Sequence, residues 1–168
     1  FTGAAIYEYP IALSPGRNGL TPSLSLTYNS QENAIDYRLG YRWDFTEFYI
    51  QRFNKYGVER MYDDNTFMAS TPAGGGELIA VELTDSTHGV YGQQTEGGFV
   101  KYEFLADGSW LVTDKSGIRY KFGTADEFRQ FAPDDTTRVF KWMLQEIRDT
   151  NDNFIRYTYA KYDNQIYP

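Results

Sequence analysis

The side chains that could do chemistry are few, and each stands in a context that argues for a turn. His88 is the only histidine among the 168 residues. Ser86, Thr87 and Gly89 lie beside it, a grouping in which an imidazole base could activate a hydroxyl nucleophile. No strand-to-helix nucleophile elbow accompanies it, so a polar turn is the simpler reading. Asp149, Asn151 and Asn153 repeat the alternate-oxygen opening of a calcium loop. Phe154 then takes the place of the required glycine and Ala160 that of the bidentate glutamate, so a hairpin turn is expected there instead. Asp63-Asp64 and Asp134-Asp135 could supply paired carboxylates for metal or glycoside chemistry, but adjacent acids in loop-like sequence read as solvated turns. Gly74-Gly75-Gly76 lacks the Lys-Ser/Thr of a phosphate cradle, and Glu77 would repel phosphate. Residues 70–76 are expected to form a flexible exposed loop. The sequence therefore calls for no catalytic residue, no cofactor and no metal, and the chain is not expected to be an enzyme.

The elements that would carry these residues read as strands. Hydrophobic residues make up 41% and aromatic residues 18% of the chain, so it can build a core, and large flat side chains suit a pleated surface. Residues 5–11 read as a strand. A turn around Pro15 and Gly16 follows, then a second strand in which Leu24, Leu26 and Tyr28 share a core face while Ser23, Ser25 and Thr27 share a wet one. Residues 43–53 suit a bent or bulged strand. Residues 99–122 hold three short strands separated by Asp107-Gly108 and by Lys115-Ser116-Gly117, which is a meander. Residues 139–147 fit helical spacing at Val139, Met143 and Ile147, but Phe140, Trp142 and Leu144 fill the alternate positions, which favours a strand in a further hairpin with residues 154–159. The expected fold is all-β, with mainly antiparallel meander and hairpin sheets that form a sandwich or part of a larger β shell, in one domain over residues 1–168.

Charge and composition exclude several partners. A net charge of −7 would repel a phosphate backbone, so nucleic acid is not expected. The absence of cysteine removes disulfides and thiolate metal sites. No apolar run approaches the ~20 residues of a membrane helix. Because the chain starts at Phe1 and not at Met, it is expected to be a fragment of a longer protein.

The stretch over residues 5–30 places Pro10, Pro15, Gly16, Gly19, Leu20, Pro22, Leu24, Leu26 and Tyr28 in a Pro-Gly-x-x-Gly-Leu-x-Pro-x-Leu frame. In that frame the prolines fix φ, and Gly16 and Gly19 can take φ > 0. Gly40 and Trp43, then Arg52 closing an Ile-x-Arg, follow it, with Gly117 to Gly123 and Trp142 to Asp149 forming later hairpins. These segments resemble the SpvB-type N-terminal domain, the family of the Salmonella virulence plasmid B protein and of the B components of insecticidal toxin complexes, often joined to Rhs/YD repeats. Two departures stand out: Arg42 occupies the place of a second family glycine, and a polar insert over residues 32–38 lengthens the preceding loop. The resemblance implies a non-catalytic scaffold in a secreted or cell-surface toxin-related protein, cytoplasmic before export. Its partners would be the rest of a Rhs/YD-type β shell and other toxin-complex subunits. Any ADP-ribosyltransferase activity would then lie in a separate C-terminal domain. The alternative is a carbohydrate-binding or adhesion module that stacks sugars on exposed Tyr and Trp side chains, whereas Trp43, Trp110 and Trp142 as core or interface anchors would argue against it. An excised shell domain should leave sheet edges or apolar patches exposed.

Overall fold

Alternation of large apolar and polar side chains makes a run of short strands, and the longest such run closes on itself. The structure is a computed structural model that describes residues 3–32, 35–36, 39–95 and 97–167. Its contacts fall into two compact units, residues 1–47 and residues 48–168.

In the first unit, β1 (Ile6–Pro10), β2 (Ser25–Asn29) and β5 (Trp43–Phe45) form a three-stranded antiparallel sheet, and β3 (Ile35–Asp36) pairs with β4 (Gly40–Tyr41). The Trp43 ring lies 6.4 Å from Tyr7 and 5.5 Å from Tyr28. The expected split of β2 into a dry and a wet face does not hold: Leu24, Leu26 and Tyr28 are half-buried, whereas Ser25 is buried. Ser25 tolerates burial because its hydroxyl meets Thr46 Oγ1 at 2.7 Å and its N–H donates to the same oxygen at 3.1 Å. Between β1 and β2 the proline-glycine frame forms a 3-10 turn over Arg17–Gly19, with Leu20 N–H donating to the Arg17 carbonyl at 3.0 Å. Gly19 takes φ 77, as the frame requires, but Gly16 sits at φ −78. There the demand for glycine is steric, since a Cβ would collide with the Leu20 carbonyl oxygen. Arg42 has φ 70, a left-handed backbone conformation that favours glycine. Of the polar insert over 32–38, residues 33, 34, 37 and 38 lie outside the described residues.

In the second unit the strands are β6 (Tyr49–Arg52), β7 (Phe67–Thr71), β8 (Gly74–Leu83), β9 (Gly89–Gln93), β10 (Lys101–Phe104), β11 (Trp110–Thr113), β12 (Arg119–Phe122), β13 (Arg129–Ala132), β14 (Asp135–Arg148), β15 (Phe154–Arg156), β16 (Ala160–Tyr162) and β17 (Gln165–Tyr167). Each of β6 to β12 pairs antiparallel with its neighbour in sequence. The long β14 pairs β6 on one edge and β12 on the other, closing an eight-stranded barrel. The all-β antiparallel meander is as expected, and the finding that goes beyond the sequence pattern is closure. Eight strands leave an interior just wide enough for side chains to fill. Cross-strand partners fill it in layers: Tyr102, Val112, Tyr120 and Ile147 follow one another across β10, β11, β12 and β14, and Phe104, Trp110, Phe122 and Leu144 form the next layer. All eight are buried.

The stretch over residues 70–76 is not a loose loop. Ser70 pairs with Gly75 and Thr71 with Gly74 across a two-residue turn, and Thr71 Oγ1 donates to the Gly74 carbonyl at 2.6 Å. Glycine serves close approach here, because a Cβ on Gly75 would stand 2.5 Å from the Ala69 carbonyl oxygen. Gly75→Ala is expected to cost about 1–3 kcal/mol by overpacking the hairpin. A urea midpoint indistinguishable from the parent chain would show that the two strands do not approach so closely.

At the closure seam Lys121 of β12 pairs with Glu146 of β14. The Glu146 carboxylate is 6% exposed and meets Arg148 Nε at 3.0 Å, Arg156 Nε at 3.2 Å and Lys121 Nζ at 3.4 Å. The hydrogen bond from Arg148, followed by that from Arg156, holds its pKa at about 2, against an ordinary value of 4.5. A carboxylate that titrates lower in the folded state contributes stability above its ordinary pKa and loses it as pH falls through the folded value. With Arg156 64% and Lys121 45% exposed, solvent screening leaves a contribution of about 1–2 kcal/mol. The urea midpoint should therefore fall as pH drops from 4.5 toward 2, and Glu146→Gln should flatten that part of the profile. An unchanged slope in the variant would remove Glu146 from the explanation.

Candidate functional site

The side chains that gather at one mouth of the barrel come from strands and turns far apart in sequence. Arg52 ends β6, Phe104 ends β10, Arg129 begins β13, Arg138, Val139 and Trp142 lie on β14, and Tyr62, Asp63, Thr87, His88 and Gly108 come from connections. With Thr137 they enclose about 380 Å³.

Arg52 is the organising cation. Its Nε donates to the Val139 carbonyl at 3.0 Å, and its Nη1 reaches the carbonyls of Met61 at 3.4 Å and Asp64 at 3.5 Å. The guanidinium lies 5.3 Å from the Phe67 ring, 5.4 Å from Tyr62 and 6.0 Å from Trp142. Burial pulls its pKa below the ordinary value, but a guanidinium stays charged in proteins. Among the described residues no carboxylate forms an ion pair with it. Arg129 donates from Nε to the Gly123 carbonyl at 2.6 Å and from Nη2 to the Asp107 carbonyl at 2.9 Å. Arg138 lies 4.8 Å from the Tyr62 ring and pairs with Asp134 at 2.9 Å and Asp135 at 3.2 Å. The Trp142 indole donates to the Gly108 carbonyl at 2.8 Å, which fixes one wall.

His88 is tied into this mouth. Its Nδ1 lies 2.8 Å from Asp85 Oδ2, and its ring rests 4.8 Å from Phe104. Asp85 also accepts the backbone N–H groups of Thr87 and His88, both at 2.7 Å, and these hold its pKa at about 2. An ionised carboxylate only accepts, so Nδ1 is the donor. The Ser86 hydroxyl turns instead to Thr87 Oγ1 at 3.5 Å, so the structure does not bring His88 and Ser86 together as base and nucleophile.

The other candidates disperse. Asp149 is buried and spends its oxygens on its own turn: Oδ1 accepts Asn151 N–H at 2.8 Å and Asn153 N–H at 2.9 Å, and Oδ2 accepts Asn153 Nδ2 at 2.8 Å. Such a carboxylate organises the β14–β15 hairpin. Asp64 pairs with Arg60, and Asp134 and Asp135 with Arg138. Trp110 and Trp142 are 0% and 1% exposed, so neither ring offers a sugar-stacking face, while Trp43 is half-buried. Pro10 ends β1, Leu24 precedes β2, Leu26 and Tyr28 lie on β2, Gly40 on β4 and Trp43 on β5. Of the motif residues only Arg52 reaches the mouth. Sequence reasoning missed Arg129 and Arg138, for which no motif stood as a signal.

The proline-glycine turn, the left-handed position at Arg42 and the Arg52 anchor can be set beside known proteins. The family described as SpvB, Salmonella virulence plasmid 65kDa B protein, matches residues 1–167. The chain belongs to this SpvB family. It is 24% identical over 182 aligned residues to the mono(ADP-ribosyl)transferase SpvB of Salmonella choleraesuis and to that of Salmonella typhimurium. The alignment covers 94% of this chain but 30% of those curated relatives. The N-terminal domain of effector protein SpvB from Salmonella typhimurium superposes with a TM-score of 0.72 at 23% identity, over 93% of this chain and 54% of that one. The Photorhabdus luminescens Tc holotoxin pore matches with a TM-score of 0.78 at 22% identity, over 97% of this chain and 8% of that one. A TcdB2-TccC3-Cdc42 structure matches at 26% identity with a TM-score of 0.76, again over 8% of its chain. This SpvB-family chain has the all-β fold of the N-terminal domain of SpvB. No helix among its described residues is long and apolar enough to cross a membrane.

Proposed function

We propose that this SpvB-family domain is a non-catalytic scaffold of a secreted toxin-related protein, a rigid barrel that contributes to a larger β shell and docks against the rest of that assembly. The observation that carries the reading is the second half of β8, where the register against β9 shifts at Val81 and Ile79, Val81 and Leu83 are 45%, 68% and 42% exposed. Large apolar side chains are normally turned inward, and a cluster of them left exposed along one strand marks a surface that another part of an assembly covers. The edge strand β1 supports it, with Ile6, Tyr7 and Tyr9 each more than half exposed. The occupant is the remainder of the parent polypeptide or a toxin-complex subunit, in keeping with matched structures in which a domain of this shape is 8% of the chain. Among the described residues, the barrel interior is filled with buried side chains, as an eight-stranded barrel allows. The relatives' ADP-ribosyl transfer, named for proteins of which this chain covers 30%, is assigned to a region outside these 168 residues. The isolated chain, incubated with labelled NAD and a cell lysate as acceptor, should leave no label on protein above a buffer control. Label transferred by this chain alone would overturn the non-catalytic role.

A further inference from the structure

Three guanidinium groups from three strands, Arg52, Arg129 and Arg138, border the cavity of about 380 Å³ at the barrel mouth, and Tyr62, Phe104 and Trp142 wall it. Asp63 is the carboxylate among its lining residues. The acids that answer the arginines lie toward solvent: Asp134 is 76% exposed, and Asp126, 4.0 Å from Arg129, is 82% exposed. We propose that this cavity binds a small molecule carrying an oxyanion, a carboxylate or a phosphate, on an aromatic or other flat body. This is independent of the docking role proposed above.

The volume falls within the roughly 300–1,000 Å³ of small-ligand pockets, and a few convergent polar groups on an aromatic lining are their usual composition. The three arginines would divide the work. Arg52 and Arg129 are held by carbonyl oxygens, so they supply fixed positive charge at the floor and side. Arg138 rests on the Tyr62 ring and pairs with Asp134 and Asp135, the latter 38% exposed, and it can exchange those screened ion pairs for a fork-to-fork bond with a ligand oxyanion. The exchange costs little, because solvent-exposed ion pairs contribute weakly. Tyr62, whose ring already lies under the Arg138 guanidinium, is the aromatic that a flat ligand can meet, while the buried Trp142 closes the wall behind it. A barrel that needed only a plug would seal this mouth with aliphatic side chains, without desolvating a cation that forms no carboxylate ion pair among the described residues.

Titration of the isolated chain with phenyl phosphate, benzoate and neutral phenol, followed by NMR at the Trp142 indole N–H, tests this. At least one of the two anions should shift that signal saturably with a Kd of about 1 mM or tighter, while phenol at the same concentrations should not. Which anion binds more tightly identifies the head group. Arg138→Gln should weaken binding about fivefold or more in a chain whose spectrum shows an intact barrel, and Arg60→Gln, outside the cavity, should leave the Kd unchanged. No saturable shift with either anion up to about 10 mM, an equal response to phenol, or unchanged binding in the Arg138 variant would overturn the proposal.

Discussion

Phe67→Ala is expected to destabilise the barrel by about 3–5 kcal/mol. Phe67 is 0% exposed and stands where four other rings converge: Trp110 at 4.9 Å, Tyr91 at 5.4 Å, Phe104 at 5.7 Å and Trp142 at 5.9 Å. Their edge-to-face arrangement gives each pair a small gain beyond burial. The four partners belong to β9, β10, β11 and β14, strands locked into one closed ladder. The space left by the ring therefore cannot be filled by moving one element, and a cavity persists at full cost. Urea unfolding followed by tryptophan fluorescence measures the loss. Tyr162→Ala, at a side chain 78% exposed, should stay within about 0.5 kcal/mol of the parent. A loss below about 1 kcal/mol for Phe67→Ala would mean that the barrel interior repacks freely.

Arg52→Ala should cost about 2–4 kcal/mol, because hydrogen bonds from a charged donor contribute more than neutral ones and their removal orphans acceptors. Three carbonyls, those of Met61, Asp64 and Val139, lose their donor, and the rings of Phe67, Tyr62 and Trp142 lose their cation. The expected fall in Tm is about 6–15 °C. Arg52→Lys keeps the charge but not the planar fork, so it should recover only part of the loss. A variant with lysine as stable as the parent would show that charge alone matters at this position; an alanine variant as stable as the parent would show that the carbonyls find other donors.

Much of the fold was legible because period-two patterning is a local property. Tyr102 and Phe104 flank Glu103, Tyr120 and Phe122 flank Lys121, and Trp110 and Val112 share a face on either side of Leu111; turn residues separate the three pairs, and each is buried in the barrel as the pattern requires. The β14–β15 hairpin was legible for the same reason, and Asp149, Asn151 and Asn153 form its turn. Closure was not legible. It depends on β14 offering one edge to β6 and the other to β12, a pairing of distant segments that no local signal encodes. Residues 70–76 were misread because glycine serves both loose loops and close backbone approach, and only the register of β7 against β8 separates the two. Ser25 was placed on a wet face because alternation cannot show that Thr46 waits to satisfy it. The mouth cavity was illegible because it is assembled across the barrel: Arg52 donates to a carbonyl 87 residues away.

Thiol labelling tests the docking role most directly, since the chain has no cysteine of its own. Val81→Cys and Ile6→Cys place reporters at side chains each 68% exposed. In the isolated chain both should react with a maleimide as fast as an open thiol. In the complete gene product or its assembly at least one should be slowed about tenfold or more, because a covered interface excludes the reagent. Equal reaction rates for both sites in the isolated chain and in the complete protein would contradict the scaffold role.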